Sequence, residues 1–159
     1  MEHWTSNAIE PFFNIIQRKD ITLDMINTDN VCCRESNIVP GEKGVYARKD
    51  IPKGSIVEWG VAEIIPGMDV RTNDMFYTWG ADRRTAAALS GCAQYYNTLG
   101  DKSNVRCVPF HKENRFENYA LEDISAGTEL TIRYDSMNYR EGMKHLLDVV
   151  GDLSKGDRI

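Results

Sequence analysis

The chain contains no C-x-x-C pair, no strongly basic stretch, no long apolar run and no internal repeat, and each absence removes a class of function. Its four cysteines, Cys32, Cys33, Cys92 and Cys107, lack the paired spacing that structural zinc sites favour, so no metal cluster is expected. Neighbours on a strand face opposite ways, so the adjacent Cys32 and Cys33 do not indicate a disulfide framework. The opening residues lack the basic region and apolar core of a secretory signal. Together these features point to a reducing intracellular compartment, cytoplasm or nucleus. No apolar run approaches the roughly 18 residues of a membrane span, and no membrane association is expected. A formal net charge of −5 argues against a surface that tracks nucleic-acid phosphates, so no direct nucleic-acid binding is expected. A basic peptide suits such a surface better.

What is present is enough apolar material for one core. With 159 residues and 42% hydrophobic content, the chain reads as a single domain spanning 1–159. Ser6 or Asn7 can cap an opening helix whose Ala8, Ile9, Phe12, Phe13, Ile15 and Ile16 recur at helical spacing, within an N-terminal extension over 1–30. From Val31 the pattern changes to short strands at 31–35, 44–48 and 55–65, the last with a break at Gly60. Pro40-Gly41, Pro52-Lys53-Gly54 and Pro66-Gly67 punctuate them. The alanine-rich 85–89 reads as a short helix. Strands follow at 105–109 and 116–122, and an amphipathic helix over 139–150 precedes a polar tail. Many short strands without βαβ alternation predict a mainly β fold with short helices.

The stretch "ENYALEDISAGTELTIRYD" reads as a hairpin. Residues 118–122 and 129–134 are extended, and 124–127 supplies the turn, with Gly127 available for a positive φ. Leu130, Ile132 and Tyr134 then share one face, so the Tyr134 hydroxyl points inward and needs a partner or a pocket. A core tyrosine and a functional one both satisfy that reading.

Three segments, "GEKGVYARKDIPKGSIVEWG", "ALSGCAQYYNTLGDKSNV" and "YALEDISAGTELTIRYD", stand in the order and at roughly the spacing of the signature segments of SET-domain protein-lysine methyltransferases. The chain resembles a minimal, virus-like or microbial member of that family, which would place it inside a host cell. The resemblance implies a β-clip fold with a core over 31–136, a threaded C-terminal segment, and flanking helices, the last over 137–159 with the tail. It implies transfer of a methyl group from S-adenosylmethionine to a lysine in an extended peptide, a histone tail being the family's commonest substrate.

The resemblance also assigns residues. Lys43, Gly44, Val45 and Tyr46 match the second half of the glycine motif that cradles the cofactor, with Glu42 where a first glycine is usual. Asn97 matches the asparagine that helps hold the cofactor, while Thr98 replaces the usual histidine and Leu99 the usual serine. Asn104 matches in type the asparagine that follows, behind Ser103 in place of proline. Gly44 as a hairpin glycine and Asn97 as a turn-stabilising side chain remain alternatives. Tyr134 matches the catalytic tyrosine; Tyr77 lies in a stretch like the family's Tyr-x-Phe insert, which contributes to the cofactor and substrate pockets, and Tyr139 lies where a second aromatic for the lysine channel or the adenine is common. The chain lacks the cysteine cluster that many relatives carry after the catalytic tyrosine. The 139–150 helix, or a partner subunit in a homodimer, would then close the lysine channel. Because Glu42, Thr98 and Leu99 depart from the pattern, a catalytically degenerate module that binds a peptide or partner is the alternative.

Overall fold

Alternating apolar residues bounded by glycine and proline produce strands where that pattern is strongest. The computed structural model describes residues 24–70, 76–80 and 84–133; the two flanking helices expected over the N-terminal extension and 139–150 lie outside these. β1 (Val31–Glu35) runs antiparallel to β2 (Lys43–Ala47), which on its other edge takes β8 (Glu129–Leu130) through the pairs Val45↔Leu130 and Tyr46↔Glu129. A second sheet has the order β4-β5-β3-β7-β6, built from β3 (Ile56–Ile65), β4 (Tyr77–Thr78), β5 (Ala86–Leu89), β6 (Val105–Phe110) and β7 (Arg115–Ala120). The described residues are thus mainly β with short 3₁₀ turns.

Three local expectations are corrected. Residues 86–89 form a strand, not a helix, although alanine favours helices. Propensity is a weak prior, and here the small side chains let β5 lie between β4 and β3, with Ala86 and Ala87 fully buried. Gly60 does not break β3. A Cβ there would stand 2.1 Å from Ser90 Oγ and 2.8 Å from Phe116, so glycine admits a close approach and the strand continues.

The hairpin is the third correction. Gly127 does take a positive φ of 83°, but the turn joins two different sheets. Ile124 bridges back to Ile51, and the Ala47 N–H donates to the Thr128 carbonyl. Burial of Ile51 and Ile124 carries the chain away from β7 and delivers β8 to the edge of β2.

The main core gathers Val31, Val45, Val57, Tyr96, Val105, Leu130 and Ile132, and a second cluster holds Trp79, Ala87, Leu89 and Phe116. Beyond β8 the backbone is held on both edges. The Ile132 N–H donates to the Asn97 carbonyl (2.8 Å), and the Val105 N–H donates to the Thr131 carbonyl (2.9 Å). Residues 131 and 132 therefore run between the two ends of the loop that starts at Asn97 and finishes at Val105, the tucked arrangement that chains usually avoid.

Candidate active site

Glu129 organises the site. Its carboxylate is buried at the seam of β1, β2 and β8, where it accepts from the Ser36 hydroxyl (2.7 Å) and the Asn97 amide (3.1 Å) on Oε1. Oε2 accepts from the Asn37 N–H (2.8 Å), and the Tyr46 hydroxyl lies 3.0 Å away with the Glu35 carbonyl also in reach of its single proton. A buried carboxylate is stable only with such donors around it. Ser36 Oγ in turn accepts from the N–H groups of Ile38 and Val39, which closes the loop between β1 and β2. Burial, and after it the charge and hydrogen bond of Glu129, raise the Tyr46 phenol above its ordinary range, while the Asn37 N–H opposes them.

The two asparagines do different jobs. Asn97 Nδ2 faces Ser36 Oγ, the Lys43 carbonyl and Glu129 Oε1, so its amide ties the loop, β2 and β8 together. Asn104 holds the other edge of the emerging segment. Its Nδ2 donates to the Glu129 carbonyl (3.1 Å), and its Oδ1 accepts the Thr131 N–H (2.9 Å). Between them the backbone that leads toward Tyr134 is hydrogen-bonded on both sides. The Thr98 hydroxyl accepts from the Gly100 N–H (3.1 Å) and fixes the turn after Asn97.

Six of the assigned residues therefore meet: Lys43, Gly44, Val45, Tyr46, Asn97 and Thr98 surround or adjoin Glu129. Val45 is fully buried and its side chain belongs to the main core. Tyr77 stands on β4 in the other sheet, where its hydroxyl donates to the Ala93 carbonyl (2.6 Å) and so grips the Ala93–Tyr95 turn that precedes Asn97. Tyr134 and Tyr139 lie outside the described residues. The residues that sequence reasoning missed are Ser36 and Glu129. An acidic residue beginning a strand reads as solvent-facing, and nothing in the neighbouring sequence marks partners that lie 93 and 32 positions away.

Beside this network lies an open groove of about 510 Å³ lined by Cys33, Arg34, Glu35, Gly41, Glu42, Lys43 and Tyr95. Its size suits a small-molecule ligand. The Lys43 ammonium sits 5.2 Å from the centre of the Tyr95 ring, within cation–π range. The wall thus combines two cations, two carboxylates and an aromatic face.

A second buried acid supports the site from below. Glu58 is fully buried on β3, accepting from the Cys92 N–H (3.3 Å) and the Asn118 amide (3.4 Å). Burial dominates these donors and raises its carboxyl to about 7. Tyr96, also buried, is pushed well above the ordinary phenol range by the same desolvation and by the Glu58 charge. The Ala93–Tyr95 turn is therefore anchored at Cys92 by Glu58 and at Ala93 by Tyr77.

This architecture has a known counterpart. The family model for the SET domain matches residues 42–135, more than half of the chain. The chain belongs to the SET-domain family. Solved structures agree on the fold. The Chaetomium thermophilum polycomb repressive complex 2, in an autoinhibited conformation bound to S-adenosylmethionine, is similar at a TM-score of 0.56 and 20% identity, over 77% of this chain and 17% of that one. The Plasmodium falciparum protein PFL0690c is similar at a TM-score of 0.53 and 20% identity, over 66% of this chain and 92% of that one. The methyltransferase domain of human PR domain-containing protein 2 gives 0.50 and 18%, over 71% and 79%. No curated protein matches in a direct sequence comparison. Within this SET domain, the glycine segment, the Asn97 segment and β8 are brought together by hydrogen bonds to a single carboxylate, that of Glu129.

Proposed function

We propose that this SET domain is an S-adenosylmethionine-dependent protein-lysine N-methyltransferase acting on a lysine in an extended peptide. The observation that carries the reading is the clamp on residues 131 and 132, held by Asn97 on one edge and by Asn104 and Val105 on the other. The clamp fixes the backbone immediately before Tyr134 in the sequence, and Asn97, one of its edges, also bonds the Lys43 carbonyl at the wall of a groove of ligand size. The groove residues fit the cofactor's chemistry: Arg34 and Lys43 would face its carboxylate, Glu35 and Glu42 its ammonium, and the Tyr95 ring offers a surface for its base. When bound, S-adenosylmethionine supplies an electrophilic methyl group on a sulfonium.

The chain's own residues need only align and exclude water. A lysine amine with an ordinary pKa near 10.4 costs about 4.6 kcal/mol to hold neutral at pH 7, and an apolar channel lowers that cost. The Tyr134 hydroxyl is assigned to orient the amine for in-line attack. A histone tail is the favoured peptide, in keeping with the polycomb structure solved in complex with H3K27me3 and H3K27M.

Calorimetric titration with S-adenosylmethionine, followed by radioactive methyl transfer to a panel of lysine peptides, tests the reading. Binding with transfer to the lysine nitrogen is expected. Binding without transfer to any peptide would favour a degenerate module, a reading supported by Thr98, whose hydroxyl is engaged with its own turn. No binding at millimolar cofactor would remove the enzyme reading.

A further inference from the structure

Lys43 holds its charge over the aromatic wall of the groove. Alternation along β2 puts it on the face of Val45, a residue of the main core, and Tyr95 packs against that same core. The lysine stem thus continues an apolar surface up to the ring, a common placement for a long cationic side chain. Its ammonium stands 5.2 Å from the ring centre, within cation–π range. Glu35 is the Cα partner of Lys43 across β1 and β2 and lines the same groove, yet among the described residues no ion pair joins the two. The other cation of the wall, Arg34, is engaged with a different ring, 5.3 Å from the centre of Tyr46.

We propose that Lys43 is a specificity-determining residue of the cofactor site: in the free protein its ammonium caps the Tyr95 ring, and it gives up the ring to a nucleoside that brings a carboxylate to receive it. The cap stands on the observed contact. Its effect on ligand choice rests on the methyltransferase reading above, in which the ring takes the cofactor's base and Lys43 its carboxylate.

One ring face cannot hold an ammonium and a base at once, so binding a base there moves the lysine. The backbone around it stays. The Lys43 carbonyl accepts the Asn97 amide (2.9 Å), and the Ala93–Tyr95 turn is held by the Tyr77 hydroxyl on the Ala93 carbonyl (2.6 Å) and by the Cys92 N–H on Glu58 (3.3 Å). Only the flexible side chain of an exposed lysine has to swing. For a bare nucleoside that swing forfeits the cation–π contact and returns the ammonium to water. A ligand with an amino-acid tail replaces the contact with a charge-assisted hydrogen bond, the stronger of the two. The same side chain therefore opposes nucleosides and favours their amino-acid conjugate.

The test uses the full chain and two probes that share a base, a sugar and a thioether: S-adenosylhomocysteine, which carries the amino-acid carboxylate, and 5′-methylthioadenosine, which does not. Calorimetry on the parent and on Lys43→Ala should give effects of opposite sign. The variant should bind 5′-methylthioadenosine about two- to fivefold more tightly, the worth of an exposed cation–π contact. It should bind S-adenosylhomocysteine at least about twofold more weakly, since the lost charge-assisted hydrogen bond outweighs the freed ring. Any other pattern across the two probes would overturn the role in selection. A parent that binds neither probe at millimolar concentration would instead defeat the methyltransferase reading, and the cap is decided without a ligand by proton NMR of the free chain. The Lys43 ε-methylene signals, identified by their loss in Lys43→Ala, should lie upfield of the ordinary lysine position because the ring shields them. Signals at the ordinary position would overturn the cap.

Discussion

Gly44 and Glu129 fit together because one of them has no side chain: a Cβ on Gly44 would stand 2.4 Å from Glu129 Oε1 and 3.3 Å from the Ser36 Cα. The glycine for which the sequence resemblance implies cofactor approach is thus required, in the fold itself, by the carboxylate that gathers the site. Gly44→Ala should destabilise the protein by about 2 kcal/mol, within the range for overpacking a core. Glu129 cannot swing away without breaking its bonds to Ser36, Asn97 and Asn37. Urea denaturation of the two proteins checks this, and equal midpoints would show that the carboxylate yields freely.

Glu129→Gln keeps the size of the side chain and removes its charge. One acceptor oxygen becomes an NH₂ that must face a donor, either the Ser36 and Asn97 pair or the Asn37 N–H with Tyr46. A buried donor facing a donor costs about 2–3 kcal/mol. For a chain of this length that corresponds to a fall in Tm of roughly 4–12 °C. Differential scanning calorimetry reads it directly, and an unchanged Tm would mean that the network reorganises around a neutral amide.

The strands of the fold were largely legible, and the acids that hold the site were not. Val31–Glu35 and the long run through Ile65 stand out through β-branched residues between proline and glycine turns, signals carried by adjacent residues. Ala86–Leu89 misleads because local propensity favours a helix, whereas the position between β4 and β3 rewards small side chains. The false hairpin has the same origin: Gly127 marks the turn, but the choice of β2 as the partner of β8 is made by Ile51 and Ile124 far from it. Glu58, Glu117 and Glu129 are all buried in strands where a lone charge normally signals the solvent face. Their partners are fixed by tertiary structure, so no local pattern could reveal them. Asn97 and Asn104 could be picked out by resemblance, yet their roles as opposing edges of one clamp required the positions of Ile132 and Thr131.

Glu58 makes stability depend on pH in a direction opposite to most carboxylates. Its pKa rises from an ordinary 4.5 to about 7 in the fold, so the folded state holds its proton more tightly than the unfolded chain. Stability is then greatest below about pH 4.5 for this group alone, falls as pH rises toward 7, and levels off above it, a loss of roughly 3 kcal/mol at 1.36 kcal/mol per pH unit. Glu58→Gln should flatten this contribution. Denaturation curves at several pH values for the parent and the variant provide the comparison, and parallel profiles across pH 4.5–7 would show that Glu58 titrates alike in both states.

The final prediction separates binding from chemistry at Tyr134. The backbone before it is fixed, with Leu130, Thr131 and Ile132 buried and the Ile132 N–H donated to Asn97. Tyr134→Phe should therefore leave the fold and the groove intact, and affinity for S-adenosylmethionine should stay within a small factor of the parent. Methyl transfer should fall about a hundredfold to a thousandfold, the loss typical when a preorganised polar group at the reacting centre is removed. Tyr96→Phe is the contrasting variant: Tyr96 is buried in the main core beside Glu58, so its loss should register in stability and leave the transfer step close to the parent rate. Single-turnover measurements with saturating cofactor and peptide distinguish the two, because they exclude product release. Equal rates for the Tyr134→Phe variant and the parent would make Tyr134 a packing residue and assign the chemistry to another group.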